Sequence, residues 1–173
     1  MTNSKSLIAY FSRKGNNYVG GRINYLSIGN TEIIAKKIKE ITGSDLFQVD
    51  TVENYPEDYL ETTEVAQDEK TLNARPELTE KVVDMDAYGV IYLGYPNWWG
   101  TMPMALYTFL ESYDFSGKTI IPFCTHEGSG IGNSERDIEK LCPEATILPG
   151  LEILGSSVKN ADHLIKSWLD KYK

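Results

Sequence analysis

The chain is poor in the features that mark disulfide-stapled, metal-binding or membrane-spanning proteins. Cys124 and Cys142 are the only two cysteines among 173 residues. They lack CxxC spacing and have no matching histidine cluster, so a disulfide framework and a cysteine-ligated metal are both unexpected; two reduced, buried thiols are expected instead. No stretch approaches the roughly 18 consecutive apolar residues of a membrane helix. The apolar part of MTNSKSLIAYF is too short for a secretory signal, which sets the expectation of a cytoplasmic protein with no membrane partner. Basic residues are in deficit, 17 Lys and Arg against 25 Asp and Glu, for a net charge of −8. Nucleic acids and anionic bilayers call for a basic face, so neither is expected as a partner. A basic protein could instead be steered to this one.

The familiar nucleotide signatures are missing too. No GxGxxG follows the first strand, and GxxxxGK[ST] occurs nowhere; its nearest miss, GLEILGSS at residues 150–157, lacks the lysine. The GxGxG of residues 128–132 comes too late in the chain for a dinucleotide fingerprint. Gly130 stands where a phosphatase-type C-x5-R starting at Cys124 would need arginine.

What is present is a regular alternation of apolar runs and helical patterns. SLIAYF (6–11), DLFQV (45–49), GVIYL (89–93), KTIIPFC (118–124) and residues 146–154, interrupted by Pro149 and Gly150, predict five buried strands. Pro122 counts against the fourth. Asn30, Thr31 and Glu32 open a helix with Ile34, Ile38 and Ile41 on one face, ended by Gly43. A polar helix follows Pro56, Glu57 and Asp58, to about Leu72. Residues 104–111 form another, burying Leu106, Phe109 and Leu110 behind Pro103. Ser134 to Asp137 resembles a capping box opening a helix through Leu141. In the last helix Ala161, Leu164, Ile165, Trp168, Leu169 and Tyr172 recur at i, i+3, i+4, i+7, i+8 and i+11, which places Trp168 in the core and His163 on the surface.

Five strands alternating with five helices predict an α/β fold. It has three layers, an open parallel sheet covered on both faces, and right-handed crossovers in one domain over residues 1–173. Ligands of such sheets bind beyond the carboxyl ends of the strands, where the strand order reverses. The candidate site is therefore the set of loops after strands one, three and four.

The first loop carries Ser12, Arg13 and Lys14, and Asn30 and Thr31 open the next helix. Free N–H groups at a helix N-terminus, with short hydroxyl and amide side chains, suit a monophosphate. The plain alternative is a polar turn with Asn30 as an ordinary helix cap. AYFSRKG followed by GNTEIIAKKI resembles the opening of the flavodoxins, where such a loop holds the phosphate of FMN. The resemblance implies FMN as cofactor and a flavodoxin-like sheet with strand order 2-1-3-4-5. It also implies Ser12, Arg13 and Lys14 as the first half of the phosphate motif and Asn30 and Thr31 as the second. A turn built on Gly15, Asn16 and Asn17 is the alternative. Residues 16–29 separate the two halves, and a hairpin turning at Gly20 and Gly21 would accommodate them. A cover over the flavin, a partner surface and a neutral elaboration all stay open, the last being the default.

An isoalloxazine ring needs planar partners and nearby backbone N–H groups. GYPNWWGTMP (94–103) offers Pro96, Asn97, Trp98 and Trp99 as a wall, with Gly100 allowing close backbone approach. Two tryptophans in a Gly/Pro/Asn-rich turn are poor neighbours for water, so they should cover something. They alternate in direction; Trp99 is assigned to the ring, and Trp98 braces the loop or faces the substrate side. After strand four, Thr125, His126, Gly128, Ser129 and Gly130 belong to a second, glycine-rich turn with free N–H groups. His126 lines the slot, transfers a proton or faces solvent. YP-x-WWG-x-x-P followed by T-x-x-GSG-x-G-x-S resembles a flavodoxin-like subfamily, and with the N-terminal motif the resemblance covers essentially the whole chain.

The resemblance implies an FMN electron carrier working between a reductase and acceptor proteins. An NAD(P)H-dependent quinone or nitro-compound oxidoreductase on the same fold is the alternative, with small quinones and NAD(P)H as partners. A flavin-free interaction module is a third reading.

Overall fold

The computed structural model describes residues 4–173. In chain order, β1 (Lys5–Tyr10) leads into β2 (Gly15–Val19) and β3 (Arg22–Leu26), then α1 (Asn30–Thr42), β4 (Asp45–Gln48) and α2 (Tyr59–Thr71). There follow β5 (Tyr88–Pro96), α3 (Met104–Glu111), β6 (Thr119–His126), α4 (Ser134–Leu141), β7 (Thr146–Ile147), β8 (Leu151–Leu154) and α5 (Asp162–Asp170). The central sheet runs β4-β1-β5-β6, with β7 and β8 as two halves of one edge strand against β6, and every pair is parallel. Counting β7 and β8 as one and setting the β2–β3 pair aside, this is the expected 2-1-3-4-5 flavodoxin-like order.

Alternate residues along each strand feed two cores, because successive side chains leave a strand on opposite faces. Leu7 and Ala9 of β1, Ile91, Leu93 and Tyr95 of β5, and Leu106 and Phe109 of α3 share one core with Ile138 of α4. Ile8 and Tyr10, Ile121 and Phe123, Ile34 and Ile38 of α1, and Ile165 and Trp168 of α5 share the other. Burial on both faces is why these strands read as continuous apolar runs rather than alternating ones. Trp168 is buried as expected, its indole N–H donating to the Pro149 carbonyl at 3.2 Å. Ile41 and Leu164 extend the predicted apolar faces but are exposed.

Pro122 sits inside β6 without cost to the ladder. The carbonyls of Lys118 and Ile120 accept from Thr146 and Leu148, so even-numbered residues of β6 turn their main-chain groups to the edge strand. The missing N–H of Pro122 therefore faces the break at Pro149 and Gly150, between β7 and β8, where no strand partner is paired with it.

Two local readings are corrected. Ser134 is the first residue of α4, not its cap; its hydroxyl donates to the Ile131 carbonyl at 2.6 Å and meets Tyr95 Oη at 2.8 Å, so no capping box forms. Asn30 likewise lies inside α1, behind Gly29 at the cap position, and makes no capping bond.

The inserted residues do form the hairpin that Gly20 and Gly21 suggest. β2 and β3 pair antiparallel from Gly15↔Leu26 to Val19↔Arg22. They belong to no larger sheet.

Close packing of β5 on β6 requires Gly94. The ring of Phe123 lies across it, and a Cβ there would come within 2.1 Å of the ring. Gly94→Ala is expected to destabilise the fold by about 1–3 kcal/mol through overpacking, read as a lower urea midpoint. An unchanged midpoint would show that this contact is not tight.

Candidate functional site

From β1 the chain turns to β4 on one side and then crosses to β5 on the other, so the strand order reverses at the carboxyl ends of β1 and β5. A crevice opens there, as expected of this topology. It holds a cavity of about 230 Å³. Ser12 and Arg13 line it after β1, Asn30 and Thr31 from α1, Pro96, Asn97 and Trp98 at the end of β5, and Thr125, His126, Glu127 and Ser129 at and after the end of β6.

One end is built for an anion. The first-turn N–H groups of α1 have no carbonyl partner within the helix, and the positive end of its dipole lies here. Ser12 Oγ accepts the Glu32 N–H at 3.1 Å, tying the loop after β1 to that turn. The approach depends on Gly29, where a Cβ would stand 2.2 Å from Ser12 Oγ and 2.8 Å from the Arg13 carbonyl. Thr31 Oγ1 and Thr125 Oγ1 share a hydrogen bond of 2.8 Å, joining the start of α1 to the end of β6.

Two cations assigned to this end do other work. The Arg13 guanidinium donates to the carbonyls of Asn16, Pro56 (2.9 Å) and Glu57 (2.8 Å) and to Asn17 Oδ1 (3.2 Å). It lines the cavity as a tie between the hairpin and the entry to α2, and burial lowers its pKa despite opposing contributions from Tyr59 and Asp58. Arg13 takes the inward place, and Lys14, next along the loop, lines a separate groove with Tyr25, Asp50 and Glu57.

The other end is planar. Trp98 stands edge-on to Phe11 (ring centroids 5.1 Å apart, 78°) and to Tyr55 (5.1 Å, 83°), anchored in the core and lining the cavity. Trp98 and Thr101 exchange N–H bonds of 2.8 and 3.3 Å around Trp99 (φ 56°) and Gly100 (φ 85°), a tight turn with both central residues left-handed. Trp99 consequently points to α2, where its indole N–H donates to the Thr63 carbonyl at 2.9 Å. Trp98 lines this cavity and also the neighbouring one, whereas Trp99, the residue expected at the ring, lines only the neighbouring one.

Asn97 braces the two loops. Its Nδ2 donates to the Gly130 carbonyl at 2.7 Å, and its Oδ1 accepts the Gly100 N–H at 2.9 Å. Gly100 returns a carbonyl to the Asn133 N–H at 2.7 Å. Asp137 holds the far end of the turn, accepting from Thr101 Oγ1 and from Tyr107 Oη at 2.7 Å. In the glycine-rich turn the Gly128 N–H donates to His126 Nδ1 (2.9 Å) and the Ile131 N–H to Glu152 Oε2 (2.8 Å), so these two are already spent within the fold. Gly100, Gly128 and Gly130 shape the loops without lining the cavity.

Four lining residues went unassigned from sequence, Tyr18 and Leu26 of the hairpin, Tyr59 and Glu127, and Asn17 of the alternative turn lines the cavity with them. The hairpin is a wall of the site, which overturns the neutral default. Tyr18 stacks on Tyr59 (6.1 Å, 26°), and the Gly20 N–H at the hairpin tip reaches Glu127 Oε2 at 3.4 Å. The Gly20-Gly21 turn was legible; where its strands would dock was not, because docking depends on tertiary partners far along the chain.

Burial holds the Glu127 carboxyl above its ordinary 4.5, with the Gly20 N–H and His126 acting against it. Folding therefore favours the protonated acid. That contribution is fully present below pH 4.5 and is lost as pH rises through the raised value. Glu127→Gln should raise the urea midpoint over the unmodified chain near neutral pH and not in acid; an equal shift at both would contradict the assignment.

The comparisons with known proteins fit this geometry. A family model described as Flavodoxin matches residues 21–172. A search of curated protein sequences finds no match. Among solved structures, a Bacteroides eggerthii protein assigned as a flavoprotein is 30% identical over 97% of each chain, with a TM-score of 0.78. A Lactobacillus acidophilus flavoprotein solved in complex with FMN is 22% identical over 91% of this chain and 97% of its own, TM-score 0.63. Flavodoxin 2 of Bacillus cereus is 18% identical over 97% of this chain and 99% of its own, TM-score 0.50. The last two likenesses bear on the fold. With the family match spanning most of the sequence, this chain belongs to the flavodoxin family.

Proposed function

We propose that this protein binds FMN in the crevice at the ends of β1, β5 and β6 and carries electrons between a reductase and acceptor proteins. One observation carries the reading: a single cavity joins the N-terminus of α1, with Ser12, Asn30 and Thr31, to the planar wall of Trp98. The donor set suits a monophosphate. It offers helix N–H groups, hydroxyls and an amide, and Gly29 lets the loop after β1 lie directly against the start of α1. FMN, when bound, supplies the reversible uptake of one or two electrons.

The chain's own groups bind and orient. Asn30 and the first-turn N–H groups of α1 would hold the phosphate, and the Thr31–Thr125 pair leaves one hydroxyl proton free to donate. Asn97 and the Trp98–Thr101 turn fix the wall at the ring end. Tyr18, stacked on Tyr59, forms the hairpin side of the slot. Partner choice would follow charge: an acidic chain favours a reductase and acceptors with basic faces, and its docking should weaken with salt. The same reading places the protein in the cytoplasm, where unpaired thiols such as Cys124 and Cys142 are the norm.

A second reading, an NAD(P)H-dependent quinone or nitro-compound oxidoreductase, draws support from the additional cavity beside Trp99. Steady-state NAD(P)H oxidation with a small quinone separates the two. The carrier reading expects turnover only with an added reductase; saturable turnover without one would favour the enzyme.

Asn30→Ala/Thr31→Ala should weaken FMN binding by about 30-fold, at about 1 kcal/mol for each hydrogen bond lost. Quenching of FMN fluorescence measures it. Unchanged affinity in the double variant would move the phosphate elsewhere, to the turn at Gly15–Asn17 first.

A further inference from the structure

The β2–β3 hairpin ends on an unpartnered strand. Gly20 (φ 64°) and Gly21 (φ 87°) are both left-handed and form a tight two-residue turn. In such a hairpin the pair flanking the turn, here Val19 and Arg22, exchanges both main-chain hydrogen bonds, and bonded and unbonded pairs then alternate. The main-chain groups of Tyr18, Ile23, Asn16 and Tyr25 therefore turn away from the opposite strand. The Asn16 carbonyl agrees with this phase, since it accepts from the Arg13 guanidinium outside the hairpin. The β2 side is tied to the rest of the molecule, by Arg13 at its base and by Glu127 at the tip. On the β3 side the outward N–H and C=O groups of Ile23 and Tyr25 face no strand.

Two features mark this edge as one that another chain covers. The first is its side chains. Ile23 is 49% exposed and Tyr25 74%, and with Tyr18 they share one face of the hairpin. A two-stranded sheet with an apolar face gains stability from further strands. The second is the lack of protection. Natural edges are blunted by charge, proline or bulges, and β3 has none of these from Ile23 to Leu26. The main sheet of the same molecule is guarded, its edge being broken at Pro149 and Gly150 between β7 and β8.

We propose that β3 pairs antiparallel with β3 of a second copy of this chain, about a two-fold axis at Asn24, joining two hairpins into one four-stranded sheet. On such an axis residue i meets j and j meets i. Centring it on Asn24 sets Ile23 of each copy opposite Tyr25 of the other. That register forms four main-chain hydrogen bonds and two pairs of an aromatic with a β-branched side chain. An axis at Ile23 or at Tyr25 would instead set the outer residues against the turn or beyond the strand end. Charge also fits the Asn24 register. Arg22 comes opposite Leu26, and the two Arg22 positions lie about 14 Å apart, beyond the Debye length of about 8 Å. The edge that pairs is not the one that carries Asn17 and Tyr18 to the crevice. Because the contact is smaller than a standard interface of about 1,600 Å², the dimer should be weak and reversible, with Kd on the order of 100 µM.

Sedimentation velocity of the full chain, from about 5 to about 1,000 µM, should show a monomer–dimer equilibrium in that range. Ile23→Pro removes an N–H that crosses to the second copy and that β2 does not use, a position where an edge strand accepts proline. It should weaken the dimer about 30-fold, two hydrogen bonds being lost per dimer, and leave the urea midpoint unchanged. Tyr25→Lys installs the charge that natural edges carry and should weaken it about tenfold or more. Asn24→Cys tests the register. Its two copies would have Cα atoms about 4.5 Å apart, within disulfide reach, whereas Ile23→Cys leaves them about 8 Å apart. Mild oxidation should cross-link the first variant and not the second, and the native Cys124 and Cys142 are buried. A monomer at every concentration overturns the proposal, whichever other chain uses the edge. So does a dimer that Ile23→Pro and Tyr25→Lys leave intact, or cross-linking of Ile23→Cys in place of Asn24→Cys.

Discussion

An antiparallel hairpin returns the chain to the point where it left, and the candidate site depends on that return. Gly15 pairs with Leu26, so the loop after β1 and the approach to α1 lie side by side although thirteen residues separate Gly15 from Gly29. Only then can Ser12 cap the Glu32 N–H over Gly29 and the two halves of the phosphate motif meet. The insertion does more than preserve this contact. Its strands carry Asn17 and Tyr18 to the cavity, its tip crosses to Glu127, and Arg13 fastens its base to the entry of α2.

The loop after β5 shows a similar division of labour. Two adjacent tryptophans take different directions because Trp98 opens a turn whose central residues, Trp99 and Gly100, are both left-handed. Trp98 is fixed in the core by Phe11 and Tyr55 and presents a rigid surface to the cofactor cavity. Trp99 is rotated away onto α2. Asn97, Asn133 and Asp137 hold this turn against the glycine-rich loop, so both sides of the slot are set by hydrogen bonds formed in the fold itself. Preorganisation of this kind lowers the cost of binding a rigid ring.

Much of this was legible in the sequence. The five apolar runs and the helical periods were enough for the sheet order once the resemblance was recognised, and Ser12, Asn30, Thr31, Asn97, Trp98, Thr125, His126 and Ser129 all line the crevice. The departures share a physical cause. Lys14 and Trp99 were assigned by neighbourhood, but loop geometry turns adjacent residues apart, so neither lines the crevice with Arg13 and Trp98. Ser134 reads as a cap by composition, yet a buried Tyr95 hydroxyl 39 positions away claims it. Tyr59 carries no local signal; only the docking of α2 beside the hairpin, through Tyr18, brings it to the site.

The central claim is that the split motif forms a phosphate cradle. Parallel titrations of the flavin-free protein with FMN and with riboflavin test it most directly, since the two ligands share the ring and differ in the phosphate. The account predicts FMN binding tighter by about 100-fold or more, as charge-assisted hydrogen bonds at a helix N-terminus imply. Equal affinity for the two would contradict it.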